Sequence, residues 1–157
     1  MITLGQKLPN LILRKKTDKI YEVFCDDFFS SKKVILFGLP GAFTPTCSAK
    51  HLPGYIELFD DIINKGVDTI ACISVNDPHV MKAWAEHNKV LDKIVMLADS
   101  DCSFSKAIGL SHDYGVILGK RSLRFSMIVK DCIVEQLFVE EVGNFNVSSA
   151  HNIIKFL

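Results

Sequence analysis

The sequence predicts a single α/β domain, residues 1–157, built on a mixed central β-sheet flanked by helices. Strand-like apolar runs alternate with helical patterns through the middle of the chain, and two closely spaced strand-like runs follow near its end. That order is typical of a central sheet with helices on its faces and a late hairpin. No repeat, low-complexity tract or Ser/Gly-rich linker divides the chain, and 157 residues are enough to bury a full hydrophobic core.

The first half of the chain predicts a hairpin, a strand and a helix, in that order. Apolar residues lie on both sides of a charged turn at Lys16–Asp18, which predicts an N-terminal β-hairpin over residues 10–24. The run KKVILFGL, residues 32–39, is apolar between a charged start and a Pro-Gly pair, as in a buried strand. In residues 55–66 the apolar side chains recur at helical spacing until Gly66, a common helix stop.

The second half alternates strands with helices before a last hairpin. Residues 67–75 and 92–99 have the pattern of buried strands, and the helix between them is capped by Asp77 and opened by Pro78. The remaining predicted elements are a short helix at 103–110, two strands within 124–142 that turn at Lys130-Asp131, and a terminal helix at 148–157 capped by Ser148 or Ser149.

Composition and charge exclude several classes of partner. The formal net charge is zero and the isoelectric point is about 6.9, so no electrostatic attraction to nucleic acid or an anionic membrane is expected. The short basic runs at 14–16 and 120–121 are interpreted as solvated turns. No apolar run approaches the roughly 18 residues of a membrane span, and the N-terminal segment MITLGQKLPN lacks the apolar core of a secretory signal.

The cysteines are odd in number, widely spaced and never arranged as CxxC: Cys25, Cys47, Cys72, Cys102 and Cys132. Together with the missing secretory signal, this favours free thiols in a reducing compartment, either the cytoplasm or an organelle matrix. Without a CxxC pair the sequence offers neither a zinc ribbon nor a thioredoxin-type dithiol, and we expect no metal or other cofactor.

The segment FGLPGAFTPTCSAKH, residues 37–51, places a cysteine just after a proline-containing turn. The strand ends before Pro40, Thr44 is a suitable N-cap, and Pro45 then occupies the first helical position, where its missing N–H costs nothing. Cys47 therefore falls in the first helical turn. Unpaired backbone N–H groups and the positive end of the helix dipole favour a thiolate over a thiol there.

Two interpretations of Cys47 follow from these residues. A free cysteine is commonly a small apolar residue packed beneath a helix start. In the reactive interpretation, the ring of Pro40 shields the sulfur from bulk water, and the Thr44 hydroxyl bonds the sulfur or its substrate. The presence of Pro40, Thr44 and Pro45 together favours the reactive interpretation.

The stretch PGAFTPTCSAKHLPGY, residues 40–55, carries the pattern Pro-x-x-x-Thr-x-x-Cys and resembles the active-site segment of peroxiredoxins, in particular their type II or type 5 branch. Three further stretches resemble the corresponding segments of that family in the same order: residues 73–88, 97–110 and 121–140. The resemblance implies a thioredoxin-like fold and a thiol peroxidase that reduces hydrogen peroxide and alkyl or other organic hydroperoxides.

The resemblance also implies a role for each site residue. Cys47 would be the peroxidatic nucleophile, which attacks the O–O bond and becomes a sulfenic acid. Thr44 would orient the peroxide, and the backbone N–H groups of Thr46 and Cys47 would donate hydrogen bonds to it. The family's arginine at a strand start matches Arg124 in RSLRFSM, and a fixed plane of donors suits that task. Arg121 is the alternative.

Reduction of the sulfenic acid is the step at which this sequence departs from its animal-type relatives. The animal-type members of this branch have a resolving cysteine near the C-terminus, whereas the matching segment of this chain has a serine at about Ser148, so we expect that intramolecular route to be closed. Cys72 matches a cysteine of plant and bacterial type II members that is sometimes invoked in resolution. The residues around it have the pattern of a buried strand, and a disulfide requires Cα atoms within roughly 7 Å, so a structural role is preferred for Cys72. The reductant would then be external, either glutathione with or without glutaredoxin, or thioredoxin.

The resemblance further implies a homodimer formed by the faces near the active-site loops. Two other functions stay open on the same fold: a disulfide oxidoreductase, for which the CxxC pair is missing, and a redox-signalling or chaperone-like binding protein, against which the intact site residues argue. His51, four residues after Cys47, supplies at most half of a metal site. Trp84 is predicted to lie in the core or in an interface.

Overall fold

The computed structural model describes residues 1–157, and most of its strands form one sheet. The strands are β1 (Ile12–Lys16), β2 (Ile20–Phe24), β3 (Lys33–Gly38), β4 (Thr69–Ser74), β5 (Ile94–Ala98), β6 (Ser111–Asp113), β7 (Lys120–Ser122), β8 (Phe125–Lys130) and β9 (Ile133–Val139). Seven of them form a mixed sheet in the order β2-β1-β5-β4-β3-β8-β9, and β6 pairs with β7 separately. The predicted α/β architecture with an N-terminal hairpin is confirmed.

The helices are short and flank the sheet. They are α1 (Cys25–Phe29), α2 (Leu52–Glu57), α3 (Phe59–Asn64), α4 (Pro78–His87), α5 (Ser103–Ala107), α6 (Gly115–Leu118) and α7 (Ala150–Ile153), with a π-helical turn at Cys47–His51 and a final 3₁₀ turn at Ile154–Phe156. None of these helices combines the length and the apolar character that crossing a membrane requires.

Both faces of the sheet are buried. Successive residues of a strand point to opposite faces and therefore belong to different apolar layers. In β3, Ile35 and Phe37 belong to one apolar layer, together with residues of the π-helical turn, α2, α3, α4 and α7. Val34 and Leu36 belong to the other layer, with residues of α1 and α5. The segment that follows β3 and carries Cys47 packs into the first layer.

Two helix caps show how local sequence sets the boundaries. The Asp77 carboxylate accepts hydrogen bonds from the backbone N–H groups of His79 and Val80, as predicted for the start of α4. At the terminal helix, the side chain of Ser149 is the cap and accepts from the N–H of Asn152. Ser148, the alternative cap, is fully buried and has different partners.

Two segments form secondary-structure elements other than those predicted. The helix predicted for residues 55–66 is two helices, α2 and α3, because the backbone at Leu58 leaves the helical region with φ −95° and ψ 10°. The segment 111–122, for which no element was predicted, forms the small hairpin of β6 and β7 with α6 at its tip. Its short strands carry too few residues to show a clear period.

Candidate active site

The loop that follows β3 is held from two sides. The Asn76 side-chain oxygen accepts from the Ala42 N–H at 2.8 Å, and it also accepts from the Ser74 hydroxyl. On the other side, Arg121 Nη1 donates to the Pro40 carbonyl at 3.0 Å, while its Nε donates to the carbonyl of Leu118 at 2.8 Å. The loop is therefore held by Asn76 from the segment after β4 and by Arg121 from β7.

A Cβ at Gly41 would lie 2.5 Å from Arg121 Nη1, so a larger residue there would displace the guanidinium from the loop. The interpretation of residues 120–121 as a solvated turn is wrong for Arg121, which is half-buried in β7 with its guanidinium turned onto the loop. The reason is tertiary: the acceptors are two backbone carbonyls, one of them 81 positions away in the chain.

Thr44 occupies the predicted N-cap position, but its side chain does not cap the helix. Its carbonyl accepts from the Ser48 N–H at 3.0 Å, and the helix begins at Pro45. Its hydroxyl instead donates to the Gly41 carbonyl at 2.6 Å, because the tight turn brings that carbonyl within reach. The N–H groups of Thr46 and Cys47 have no acceptor in the protein.

Cys47 is fully buried at the start of the π-helical turn. Arg124 Nη2 donates to its sulfur at 3.4 Å. The sulfur therefore lies between a guanidinium and the open N–H groups of a first helical turn, and both stabilise negative charge. π-Helical turns are rare and occur frequently at functional sites.

Arg124 immediately precedes β8, at a strand start as predicted. Its second terminal nitrogen, Nη1, lies 3.2 Å from Nδ1 of His51, and its guanidinium carbon lies 5.9 Å from the centre of the Phe145 ring. The geometry separates the two candidate arginines: Arg124 contacts the sulfur, whereas Arg121 contacts the backbone of the loop.

His51 is fully buried among aromatic rings, 5.1 Å from Phe37 and 5.3 Å from Phe145 between centroids. Nε2 lies 3.2 Å from the Ser148 carbonyl, and Nδ1 faces Arg124. Burial, and then the charge of Arg124, lower the pKa of His51 from 6.5 to about 3, so the ring is neutral near pH 7. Both nitrogens are occupied by protein partners, and no group of three His, Cys, Asp or Glu side chains surrounds a metal position.

His51 is the site residue that sequence reasoning undervalued. Its spacing of four residues from Cys47 placed both on one helix face, and the structure keeps them on the same turn. The partner that gives the ring its position is Arg124, 73 positions along the chain, which no local pattern indicates.

A cavity of about 150 Å³ opens beside the sulfur. Its polar lining includes Thr44, Arg124 and Glu140, and its apolar lining includes Pro45, Leu118, Leu123 and Val142. Cys47 is buried and does not itself line the cavity, whereas its chain neighbour Thr46 and its hydrogen-bond partner Arg124 do. The cavity therefore offers both hydrogen-bonding groups and apolar surface.

The other cysteines are buried free thiols, and the structure contains no disulfide. Cys72 is fully buried in β4, in the same apolar layer as Cys47. Burial, with a smaller effect of Cys47, raises the pKa of the Cys72 thiol well above its ordinary value of 9.0. Such a thiol is rarely ionised near neutral pH and is a slow attacking group.

Trp84, the one tryptophan of the chain, lies in the core beneath the active-site turn. Its indole Nε1 donates to the hydroxyl of Ser48 at 3.1 Å, next to Cys47. The predicted core position is therefore correct, and the indole is an internal reporter of the turn that carries the sulfur.

Comparison with known proteins identifies the family. The Redoxin family model matches residues 3–154. Peroxiredoxin-2B of Arabidopsis thaliana is 42% identical over 99% of this chain and 98% of its own, and the hybrid peroxiredoxin hyPrx5 of Haemophilus influenzae is 43% identical over 98% of this chain and 65% of its own. The crystal structure of reduced Prx3 from Vibrio vulnificus in complex with H₂O₂ has a TM-score of 0.96 and 48% identity, covering 99% of this chain and 96% of that one.

These matches agree in family and extend over nearly the whole chain, so the resemblance predicted from four sequence stretches is confirmed. The strand order and flanking helices likewise agree with the thioredoxin fold expected of that family. Because the family model covers nearly the whole chain and relatives at 42–48% identity match it over at least 98% of its length, this protein belongs to the redoxin family and is a peroxiredoxin, an oxidoreductase that reduces peroxides with a cysteine thiol.

Proposed function

We propose that Cys47 is the peroxidatic cysteine of this enzyme and that its substrates are hydrogen peroxide and small organic hydroperoxides. The observation that carries the proposal is the 3.4 Å contact of Arg124 Nη2 with the sulfur, at a helix start whose Thr46 and Cys47 N–H groups are unpaired. No other cysteine of the chain has a cationic donor on its sulfur.

The reaction is a displacement at oxygen. The Cys47 thiolate attacks one peroxide oxygen, an S–O bond forms while the O–O bond breaks, and the sulfur is oxidised by two electrons to a sulfenic acid. The second oxygen leaves as water or an alcohol after taking a proton. Charge develops on that leaving oxygen in the transition state, and donors fixed in advance around it lower the barrier.

The geometry suggests a distinct task for each group. The Thr44 hydroxyl has committed its proton to the Gly41 carbonyl, so toward a peroxide it acts as an acceptor and binds the O–H group. The N–H groups of Thr46 and Cys47, together with Arg124, supply the donors. Pro40, buried at the loop, keeps bulk water from the sulfur.

The cavity supports small peroxides as substrates. Its apolar lining of Pro45, Leu118, Leu123 and Val142 suits a short alkyl group, and its polar side suits the peroxide oxygens. The H₂O₂ complex of the Vibrio vulnificus relative, at 48% identity, supports hydrogen peroxide itself.

For the reductive half of the cycle we infer an external thiol. Ser148, where the animal-type resolving cysteine was expected, is buried, and the Cys72 thiol lies in a core strand with a raised pKa. Glutathione, alone or with glutaredoxin, or thioredoxin would then attack the Cys47 sulfenic acid, releasing water and forming a mixed disulfide that a second thiol reduces. Such a cycle operates in a reducing compartment such as the cytoplasm.

Replacing the nucleophile is the first test. Cys47→Ser is expected to abolish peroxide reduction, because a serine hydroxyl is far less ionised near pH 7 than an activated thiol. Peroxide consumption is measured with glutathione and glutaredoxin, and separately with thioredoxin, using Cys102→Ser as the matched control, which should stay active. Substantial turnover by Cys47→Ser would show that another residue is the nucleophile.

Arg124→Lys is expected to lower the rate of peroxide reduction by roughly 10²-fold, as for loss of one fixed donor to a developing charge. The planar guanidinium can donate to the sulfur, to His51 and to a leaving oxygen at once, whereas the single ammonium of a lysine cannot. Stopped-flow oxidation followed by Trp84 fluorescence gives the rate constant, and Arg14→Lys, an exposed change on β1, is the control. Unchanged kinetics in Arg124→Lys would remove the arginine from the mechanism.

The resolution step is tested by mass spectrometry after one equivalent of peroxide with no added thiol. We expect a trapped sulfenic acid at Cys47 and a free thiol at Cys72, and added glutathione should convert the first to a mixed disulfide. A dominant Cys47–Cys72 disulfide would instead show that β4 opens and that Cys72 resolves.

We also infer a homodimer, because apolar side chains are exposed around the active-site loops. Val116 and Ile117 in α6 are essentially fully exposed, and Phe43 and Val142 are each 53% exposed. Such a concentration of apolar surface is typical of an interaction face. Light scattering should give twice the chain mass at micromolar concentration, and Ile117→Asp should shift it to the monomer. A monomeric wild type contradicts the inference.

A further inference from the structure

The Glu140 carboxylate, just beyond β9, is buried without a cationic partner. The side chain belongs to a residue that is 6% exposed, and none of the ion pairs in the molecule includes it. Its Oε1 accepts from the N–H of Ser148 at 2.8 Å, from the Ser148 hydroxyl at 2.9 Å, and from the N–H of Asn146. A buried carboxylate is costly unless its hydrogen bonds are made, and here they converge on one short segment.

Ser148 connects the Glu140 carboxylate to the active-site turn through hydrogen bonds on both sides. Its N–H and its hydroxyl are both held by Glu140, so the position of its carbonyl is fixed as well. That carbonyl accepts from the Tyr55 hydroxyl at 3.0 Å and from His51 Nε2 at 3.2 Å.

The Ser148 carbonyl decides which nitrogen of His51 carries the proton. A carbonyl only accepts, so Nε2 must be the N–H. In a neutral imidazole Nδ1 is then a bare acceptor, and it receives a hydrogen bond from Arg124 Nη1 at 3.2 Å. With the proton on Nδ1, two N–H groups would face each other and Arg124 would lose a partner.

The titratable and charged groups around the ring are few. Arg124 faces Nδ1, and the Tyr55 hydroxyl donates to the same Ser148 carbonyl as Nε2. Cys47 begins the turn that ends at His51, and Glu140 contacts the ring only indirectly, through Ser148. The neutral form of His51 is consistent with its pKa of about 3, which burial and Arg124 produce.

We propose that Glu140, Ser148 and His51 form a positioning relay that sets the His51 tautomer and thereby holds the Arg124 guanidinium against the Cys47 sulfur. Glu140 is the first positioning residue of the relay: its side chain lies in the cavity wall, but its hydrogen bonds go to Asn146 and Ser148 and not to the Cys47 sulfur. The kinetic part of this inference rests on the proposed role of Arg124. The backbone N–H of Glu140 also donates to the Arg124 carbonyl at 2.9 Å, a bond that side-chain substitutions at Glu140 leave in place.

Two substitutions separate the reach of the Glu140 side chain from its charge. Glu140→Asp keeps the charge but withdraws the acceptor by one methylene, whereas Glu140→Gln loses the charge but keeps an oxygen at the same reach. The relay requires the acceptor at that place, so Asp should lower the rate constant with hydrogen peroxide by about tenfold or more, and Gln should retain most of it. Glu135→Asp, an exposed change in β9, is the matched control.

The same variants are alkylated with iodoacetamide, which also needs the Cys47 thiolate but involves no leaving peroxide oxygen. Glu140→Asp should therefore slow oxidation by peroxide more than alkylation. An equal loss in both reactions, or a larger loss in Gln than in Asp, contradicts the relay.

The tautomer is measured directly, independently of any reaction, by long-range ¹H–¹⁵N correlation spectra of the His51 ring. The reduced wild type should show a protonated Nε2 and a bare Nδ1, Glu140→Gln should match it, and Glu140→Asp should show a mixture or ring exchange. A wild-type ring protonated on Nδ1, or a tautomer unchanged in Glu140→Asp, overturns the proposal. This result stands whether or not Arg124→Lys affects the kinetics, so failure of the relay and failure of the proposed function are distinguishable.

Discussion

The contact between the Arg124 guanidinium and the Cys47 sulfur joins parts of the chain that are 77 positions apart, and the surrounding site is arranged around it. Cys47 lies in a closely packed apolar layer and Arg124 at its half-buried border, so a small displacement of either residue breaks the hydrogen bond. The loop before Cys47 is therefore anchored by Asn76 and Arg121, and the guanidinium is held in turn by His51.

This arrangement places a cation in a partly buried site, where unpaired charge is expensive. The partners of the guanidinium carry no positive charge: they are the Cys47 sulfur, the neutral imidazole of His51 and the face of the Phe145 ring. A protonated His51 would place two cations 3.2 Å apart and leave Arg124 Nη1 without an acceptor. The burial that lowers the pKa of His51 to about 3 thus keeps the arginine bonded throughout the physiological range.

Most of the fold follows from local patterns, and the details of the site do not. The buried strands, the Asp77 cap and the placement of Cys47 in a first helical turn depend on neighbouring residues, and the sequence predicts them correctly. The Thr44 hydroxyl, by contrast, bonds the Gly41 carbonyl and does not cap the helix, because the shape of the turn brings that carbonyl within reach. Arg121 and His51 owe their positions to partners 81 and 73 positions away, which no periodicity or capping rule can reveal.

Sheet register explains why these distant residues meet at all. Gly38, the last residue of β3, pairs with Phe125, the first residue of antiparallel β8, so the Cys47 loop leaves the sheet where Arg124 enters it. Phe125 also pairs with Val139 at the end of β9, which places Glu140 at the same edge. Since β4 runs parallel to β3, its exit toward Asn76 lies there too. Four strand ends thus converge on one sulfur, and a one-residue slip of β8 would turn its inward side chains to the opposite face and displace Arg124 from the edge.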